Sequence, residues 1–281
     1  MKKIIIILFI FSFVGLAAKE KSHLELAKNF FENREYYHSI SETLRYENYY
    51  PNGKYLHQMI YIRGISYYKG GDYQGAIASF TKSLVKSGAS VWKERSHFSR
   101  GFIRLKSNNS FYAYIDFTSY LKHYPNGIYR DAAFLHRSYA MSLSSNLYDS
   151  LYQIRLFYKS FPSSKYMTSA KRLEEMIIFE LMRPKKNMVF ALLGSILLPG
   201  FGYFYTENYE LGFLSLGSNA LMITAIVLSA LQGNIFAVIL FSLLEVSLYT
   251  FQISGAIKSV NDYNSHESFF KKIRFEITFP L

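Results

Sequence analysis

Four marks recur along this chain at a constant interval. Pro51, Gly88, Pro125 and Pro162 stand 37 residues apart each time, and an aromatic follows each at the same offset: Tyr55, Trp92, Tyr129 and Tyr166. "PNGKY", "GASVW", "PNGIY" and "PSSKY" are one piece of punctuation written four times. Pro and Gly end a helix, and the polar pair after them opens the next. Each unit of this size is too small to bury its own apolar face, so neighbours must stack.

Between the marks the pattern is helical. Gly64 is followed by Ala76, Phe80 and Gly88 at +12, +16 and +24, and Gly101 by Ala113, Phe117 and Pro125 at the same offsets. Small residues let two antiparallel helices approach closely, and the aromatic fills the groove between them. The spacing predicts helix pairs near 22–33/36–48, 54–69/73–86, 91–107/110–123 and 128–144/147–160, closed by a last helix at about 165–182.

Gly64, Tyr67, Tyr73, Ala76, Phe80 and Gly88, and again Gly101, Ala113, Phe117 and Pro125, resemble the tetratricopeptide repeat. The outer units depart from the pattern, with Ala27, Ser39 and Thr43 in the first and Ser138, Ser150 and Ile154 in the fourth. The 37-residue pitch and its Tyr-Pro punctuation are similar to tetratricopeptide proteins of bacterial envelope assembly. The resemblance implies a solenoid over 19–183, with units at about 20–53, 54–90, 91–127 and 128–164 and a capping helix at 165–182. It also implies that the first helix of each pair lines a groove for a peptide or partner helix. The matching positions are Gln58, Tyr61, Ile65, Tyr68, Lys69, Arg95, Phe98, Phe102, Lys106, Leu135 and Tyr139. Aromatic and basic side chains there suit an acidic or aromatic-bearing partner.

Charge separates the chain into two parts. Residues 19–187 carry 26 Lys+Arg and 14 Asp+Glu, a net of +12, whereas residues 188–281 carry 4 and 6, a net of −2. The N-terminus reads "MKKIIIILFIFSFVGLAAKE": two lysines, an apolar run and a small-residue end, the layout of a cleaved secretory signal over residues 1–18. The chain has no cysteine, which excludes disulfides, thiol catalysis and Cys-based metal sites.

After a basic linker at 184–187, the stretch from Met188 to Ile257 has only Glu207, Glu210 and Glu245 as charges. Between Leu211 and Leu244 lie 34 uncharged residues, more than the roughly 20 that one span needs. Gln232-Gly233-Asn234 interrupts them, which predicts a helical hairpin at about 211–231 and 235–257, leaving a basic tail at 258–281. Upstream, 188–205 either kinks at Pro199 and crosses, or dips in and turns back. The series Ser195, Pro199, Gly200, Gly202, Tyr205 and Gly212, with the tail "AIKSVNDYN", resembles a small bacterial membrane module that often follows tetratricopeptide stretches. Tyr203 and Thr206-Glu207 depart from its pattern.

The preferred expectation is three spans. With an exported repeat region this puts Lys258, Lys271, Lys272 and Arg274 inside, as the positive-inside preference asks, and leaves Arg183, Lys185 and Lys186 outside against it. Two spans with a re-entrant piece would leave both clusters outside. A charge at mid-span costs about 2.5–3.5 kcal/mol, so Glu245 is expected to face a partner; Asn219, Ser215 and Gln252 are candidates, in either a packing or a proton-sensitive role.

No catalytic arrangement is legible. The seven histidines show no metal-ligand spacing, and Glu174-Glu175, as sequence neighbours, do not face each other on a helix. The Pro-Gly-x-Gly glycines follow no strand and lack the Lys-Ser/Thr of a phosphate loop. We therefore expect an all-α chain, a tetratricopeptide-like α-solenoid followed by a transmembrane helical bundle. It is read as non-enzymatic, without cofactor or metal, and not as a partner of nucleic acid. In this reading it sits in the bacterial inner membrane as a multi-pass protein, with the repeats on the extracytoplasmic side. It scaffolds an envelope protein or peptide, contacts membrane lipid and has room to assemble with copies of itself. The alternative makes the bundle the active part, a small transporter or channel-like assembly with the repeats as its docking or oligomerisation collar.

Overall fold

The structure, a computed structural model, describes residues 19–86, 88–144, 146–265 and 268–270. The expected signal sequence and the cluster of Lys271, Lys272 and Arg274 lie outside the described residues. Among the described residues all regular structure is helical. By proximity the chain forms two compact units that meet in sequence between Ile177 and Ile178.

The first unit is a solenoid of antiparallel helix pairs: α1 (19–32) with α2 (Tyr36–Tyr49), α3 (Leu56–Lys69) with α4 (Tyr73–Val85), α5 (Val91–Lys106) with α6 (Ser110–His123), and α7 (Arg130–Leu143) with α8 (Leu147–Ser160). Helix α9 (Met167–Met182) follows and runs across the division between the units. From α2 to α8 each helix packs on the next, and the leading helices also touch one another, α3 against α5 and α5 against α7. This is the tetratricopeptide-like arrangement, with leading helices side by side.

The small residues act as expected. Gly64 and Gly101 let the buried rings of Phe80 and Phe117 lie against bare backbone; a Cβ on Gly101 would sit 3.0 Å from the Phe117 ring. The two degenerate units keep the same approach by a different bond. Where Gly and Ala are replaced, Ser39 Oγ donates to the Ala27 carbonyl (3.0 Å) and Ser150 Oγ to the Ser138 carbonyl (2.6 Å), each 12 residues back. Buried hydroxyls need such acceptors. Some helix starts are capped by side chains: Asp72 accepts from Gly75 N at α4 and Asn146 from Asp149 N at α8.

The punctuation has a chemical reason that recurs at twice the period. Tyr46 Oη donates to Glu20 Oε2 (2.8 Å), and both accept from the turn backbone, Glu20 from Lys54 N and the Tyr46 hydroxyl from Tyr55 N, at 3.0 Å each. Seventy-four residues on, Tyr120 Oη donates to Glu94 Oε1 (2.6 Å), Glu94 accepts from Ile128 N (2.7 Å), and the Tyr120 hydroxyl accepts from Tyr129 N (3.0 Å). Burial, then the neighbouring carboxylate, raise both phenols' pKa, so they stay donors. An added Cβ on Gly53 or Gly127 would run into those hydroxyls. In the fourth unit Phe157 replaces the tyrosine, and Ser164 Oγ instead donates to Asp131 (2.7 Å).

The second unit holds α10 (Met188–Leu197), α11 (Phe201–Tyr205), α12 (Tyr209–Leu231) and α13 (Ile235–Asn264). Helices α12 and α13 are long and apolar enough to cross a membrane; α10 is shorter. At 1.5 Å per residue, the 10 residues of α10 reach about 15 Å. The chain then reverses at Gly200, whose φ of +84° only glycine takes readily. Its return is closed by Asn187 N donating to Tyr205 Oη (3.1 Å) and by Phe190 packed edge-on against Tyr205. Residues 188–205 thus form two short helices folded back on each other and not one long helix kinked at Pro199. The reversal is fixed by contacts with α12 and α13, so a sequence window could not choose it over a kink.

Candidate functional site

The expected groove residues sit on α3, α5 and α7, but at two depths. Tyr61, Ile65, Phe98, Phe102 and Leu135 are buried. Phe98 packs on Phe117, Tyr129 and His136, and Tyr61 on Phe80 and Trp92. These five pack between successive helices and are buried in this structure. Gln58, Tyr68, Arg95, Lys106 and Tyr139 are half-buried and Lys69 is exposed. Tyr68 meets Phe102 edge-on, Lys106 lies 5.7 Å from the Phe102 ring centre, and Lys69 lies 5.7 Å from that of Tyr68. The result is an aromatic–cationic strip across α3 and α5.

Three arginines elsewhere on the leading helices, Arg63, Arg100 and Arg104, are held by carboxylates. Arg63, at the position just before Gly64, donates to Glu47 (2.9 Å), which also takes Lys82 (2.9 Å). One unit on, Arg100 and Arg104 both hold the buried Asp116, at 2.6 and 2.8 Å. A further unit on, Arg137 meets neutral Gln153 (2.5 Å) and lies over Phe134. Arg95 differs from the first two: it stacks 4.7 Å from the Trp92 ring centre and makes no ion pair among the described residues, and neither does Lys69.

Two histidines, His97 and His136, are buried among these rings, and burial pulls each down to about 4. Neutral at physiological pH, they are packing elements. Among the described residues no group of three His, Asp or Glu could hold a metal ion.

In the second unit the motif residues converge on one knot. Ser195 Oγ accepts from Gly202 N (2.9 Å). A Cβ on Gly200 would sit 2.5 Å from the Gly212 carbonyl, and one on Gly202 would sit 2.5 Å from Ala256 Cβ. Gly212 in turn makes room for the Phe204 ring, and Pro199 precedes the turn. The tail of the motif ties the entry: Asn264 Nδ2 donates to the Lys186 carbonyl (2.9 Å) while its Oδ1 accepts from Lys186 N (2.8 Å). The spacing therefore encodes a reversal packed against α12 and α13.

Glu245 is half-buried, and its Oε2 has no hydrogen-bond partner. Of the partners expected for it, Asn219 and Gln252 bond to each other, and the Ser215 hydroxyl has no hydrogen-bond partner. Asn219 Nδ2 donates to Gln252 Oε1 (2.5 Å) and to the Ser215 carbonyl (2.6 Å), and Gln252 donates to Ser218 Oγ (3.1 Å). Sequence reading missed Glu20 and Glu94, whose 74-residue separation was the available signal.

No protein-family model matches the chain, and no curated protein matches it. Among solved structures it is similar to a tetratricopeptide repeat protein from Parabacteroides merdae, at 12% identity and a TM-score of 0.49, over 86% of this chain and 98% of that one. The solenoid assignment rests on the helix pairs themselves.

Proposed function

We propose that the chain is a membrane-tethered scaffold: an exported tetratricopeptide-like solenoid that holds a protein or peptide partner in the bacterial envelope, anchored by its C-terminal hairpin. The observation that carries this is the strip on the leading helices. Lys69 lies beside Tyr68 and Arg95, three turns before Lys106 on α5, lies over Trp92, each without a carboxylate of its own among the described residues, while Arg63, Arg100 and Arg104 are neutralised internally. Unneutralised cations with aromatic neighbours favour an acidic, aromatic-bearing segment. The anchor is supported by α12 and α13, whose outward side chains include Phe213, Leu221, Ile235, Phe236, Leu243 and Phe251.

The reading is tested with a photocrosslinking residue at Tyr68, against a control at Tyr148, which is 76% exposed on the trailing helix α8. Discrete adducts at Tyr68 alone, abolished by Lys69→Glu with Arg95→Glu, are the expected outcome. Equal adducts at both positions, or adducts indifferent to charge reversal, would remove the strip as the binding face.

A further inference from the structure

The second unit holds an open cavity of about 980 Å³, with Glu207 and Asp262 exposed at its rim. Its walls come from the last turn of α9, the α11–α12 junction and the C-terminal end of α13. This is the end of the bundle where α10 and α12 begin and α13 finishes. If the hairpin lies in a bilayer, the cavity is level with the headgroups.

The lining is divided by chemistry. Phe179, Met182, Pro184 and Phe269 make an apolar part, with Phe179 and Phe269 stacked at 5.7 Å. Arg183 also lines the cavity, but its charge is spent. It forms two bonds to Glu180, at 2.5 and 2.8 Å, and covers the faces of Tyr263 and Phe269 at 4.4 and 5.2 Å. Two carboxylates remain. Glu207 has only Tyr263 Oη at 3.3 Å and Lys186 at the 4.0 Å limit, and Asp262 makes no ion pair among the described residues. The hydroxyls of Thr206 and Ser259, bonded to each other (2.6 Å), also belong to the lining.

We infer that this cavity binds the headgroup of an aminophospholipid, its primary ammonium on Glu207 and Asp262 and its acyl chains running from the apolar part along the hairpin. A primary ammonium offers three hydrogen-bond donors to acceptor-only carboxylates. A quaternary ammonium would need open aromatic faces, and Arg183 already occupies those. Anionic headgroups bring no cation to the two acids. The apolar wall and its position at the ends of the candidate spans favour a lipid over a free amine. The inference rests on the membrane reading proposed above.

The test uses the full chain, purified in mild detergent and reconstituted into nanodiscs containing phosphatidylcholine, phosphatidylethanolamine and phosphatidylglycerol in equal parts. Lipid retained on the protein is then counted by native mass spectrometry. Phosphatidylethanolamine should be enriched at least several-fold over the other two. Glu207→Gln with Asp262→Asn, near-isosteric changes, should abolish the enrichment; the single variants are read if the pair does not fold. Free phosphoethanolamine should not displace the lipid at millimolar concentration, and displacement would assign the site to a soluble amine instead. Equal retention of all three lipids, or enrichment unchanged in the variants, overturns the site while leaving the anchor intact. Failure of the wild-type chain to float with liposomes overturns the anchor itself, and the site with it.

Discussion

The hydroxyl of Tyr120 stands between a carboxylate and a turn, donating to Glu94 and accepting from Tyr129 N. Tyr120→Phe removes both bonds and leaves buried groups unsatisfied, so unfolding in denaturant should show a loss of about 1–3 kcal/mol. Gly127→Ala should cost more than a surface Gly→Ala such as at Gly217, where an added Cβ meets nothing within 4 Å. The buried histidines set a pH dependence. His97 and His136 have folded values near 4 against an ordinary 6.5, so the unfolded chain binds more protons between those limits. Their contribution is complete above pH 6.5 and is lost as pH falls from 6.5 towards 4, by roughly 3 kcal/mol each. Equilibrium unfolding at pH 7.5 and pH 5 checks this. Replacing both with Gln should flatten the difference, and an unchanged slope would mean that other groups control it.

At the scale of elements, the sequence showed the solenoid well because its signals are local and repeated. Each expected helix of the first unit is present; α1 begins three residues early, and α7 and α9 begin two residues late, where the proline turn takes one more bond, at Arg130 and Met167. Depth was not legible. Phe98 and Leu135 hold expected groove positions, but here a ring and a branched chain are buried against neighbouring helices. The path of residues 188–205 was equally hidden, since Pro-Gly serves a kink and a reversal alike. The choice is made by Gly212 and Ala256, distant in sequence. Gly200→Ala forces a positive φ, at about 1–2 kcal/mol, and drives a Cβ into the Gly212 carbonyl. Ser195→Ala strands the buried Gly202 N–H. Both should lower the melting temperature of the detergent-solubilised chain and expose the 198–208 segment to protease, whereas Ser254→Ala, on the exposed side of α13, should not.

For the whole molecule, the proposed reading assigns the partner-binding face to the helical-repeat unit and the anchor to the apolar hairpin unit. The reversal at Gly200 has a consequence for topology in this reading: with two spans, residues before α10 and after α13 share one side of the membrane, so both basic clusters do as well. Three spans would separate them. The absence of native cysteine makes the distinction accessible. Single cysteines at Lys86, Gly233 and Ser265 are labelled with an impermeant thiol reagent in cells with a permeable outer layer and an intact inner membrane, then again after lysis. Lys86→Cys and Ser265→Cys should label before lysis and Gly233→Cys only after it. Labelling of Ser265→Cys confined to the lysate, or equal labelling of all three before lysis, would rule out a solenoid held outside the membrane by a two-helix anchor and a re-entrant turn.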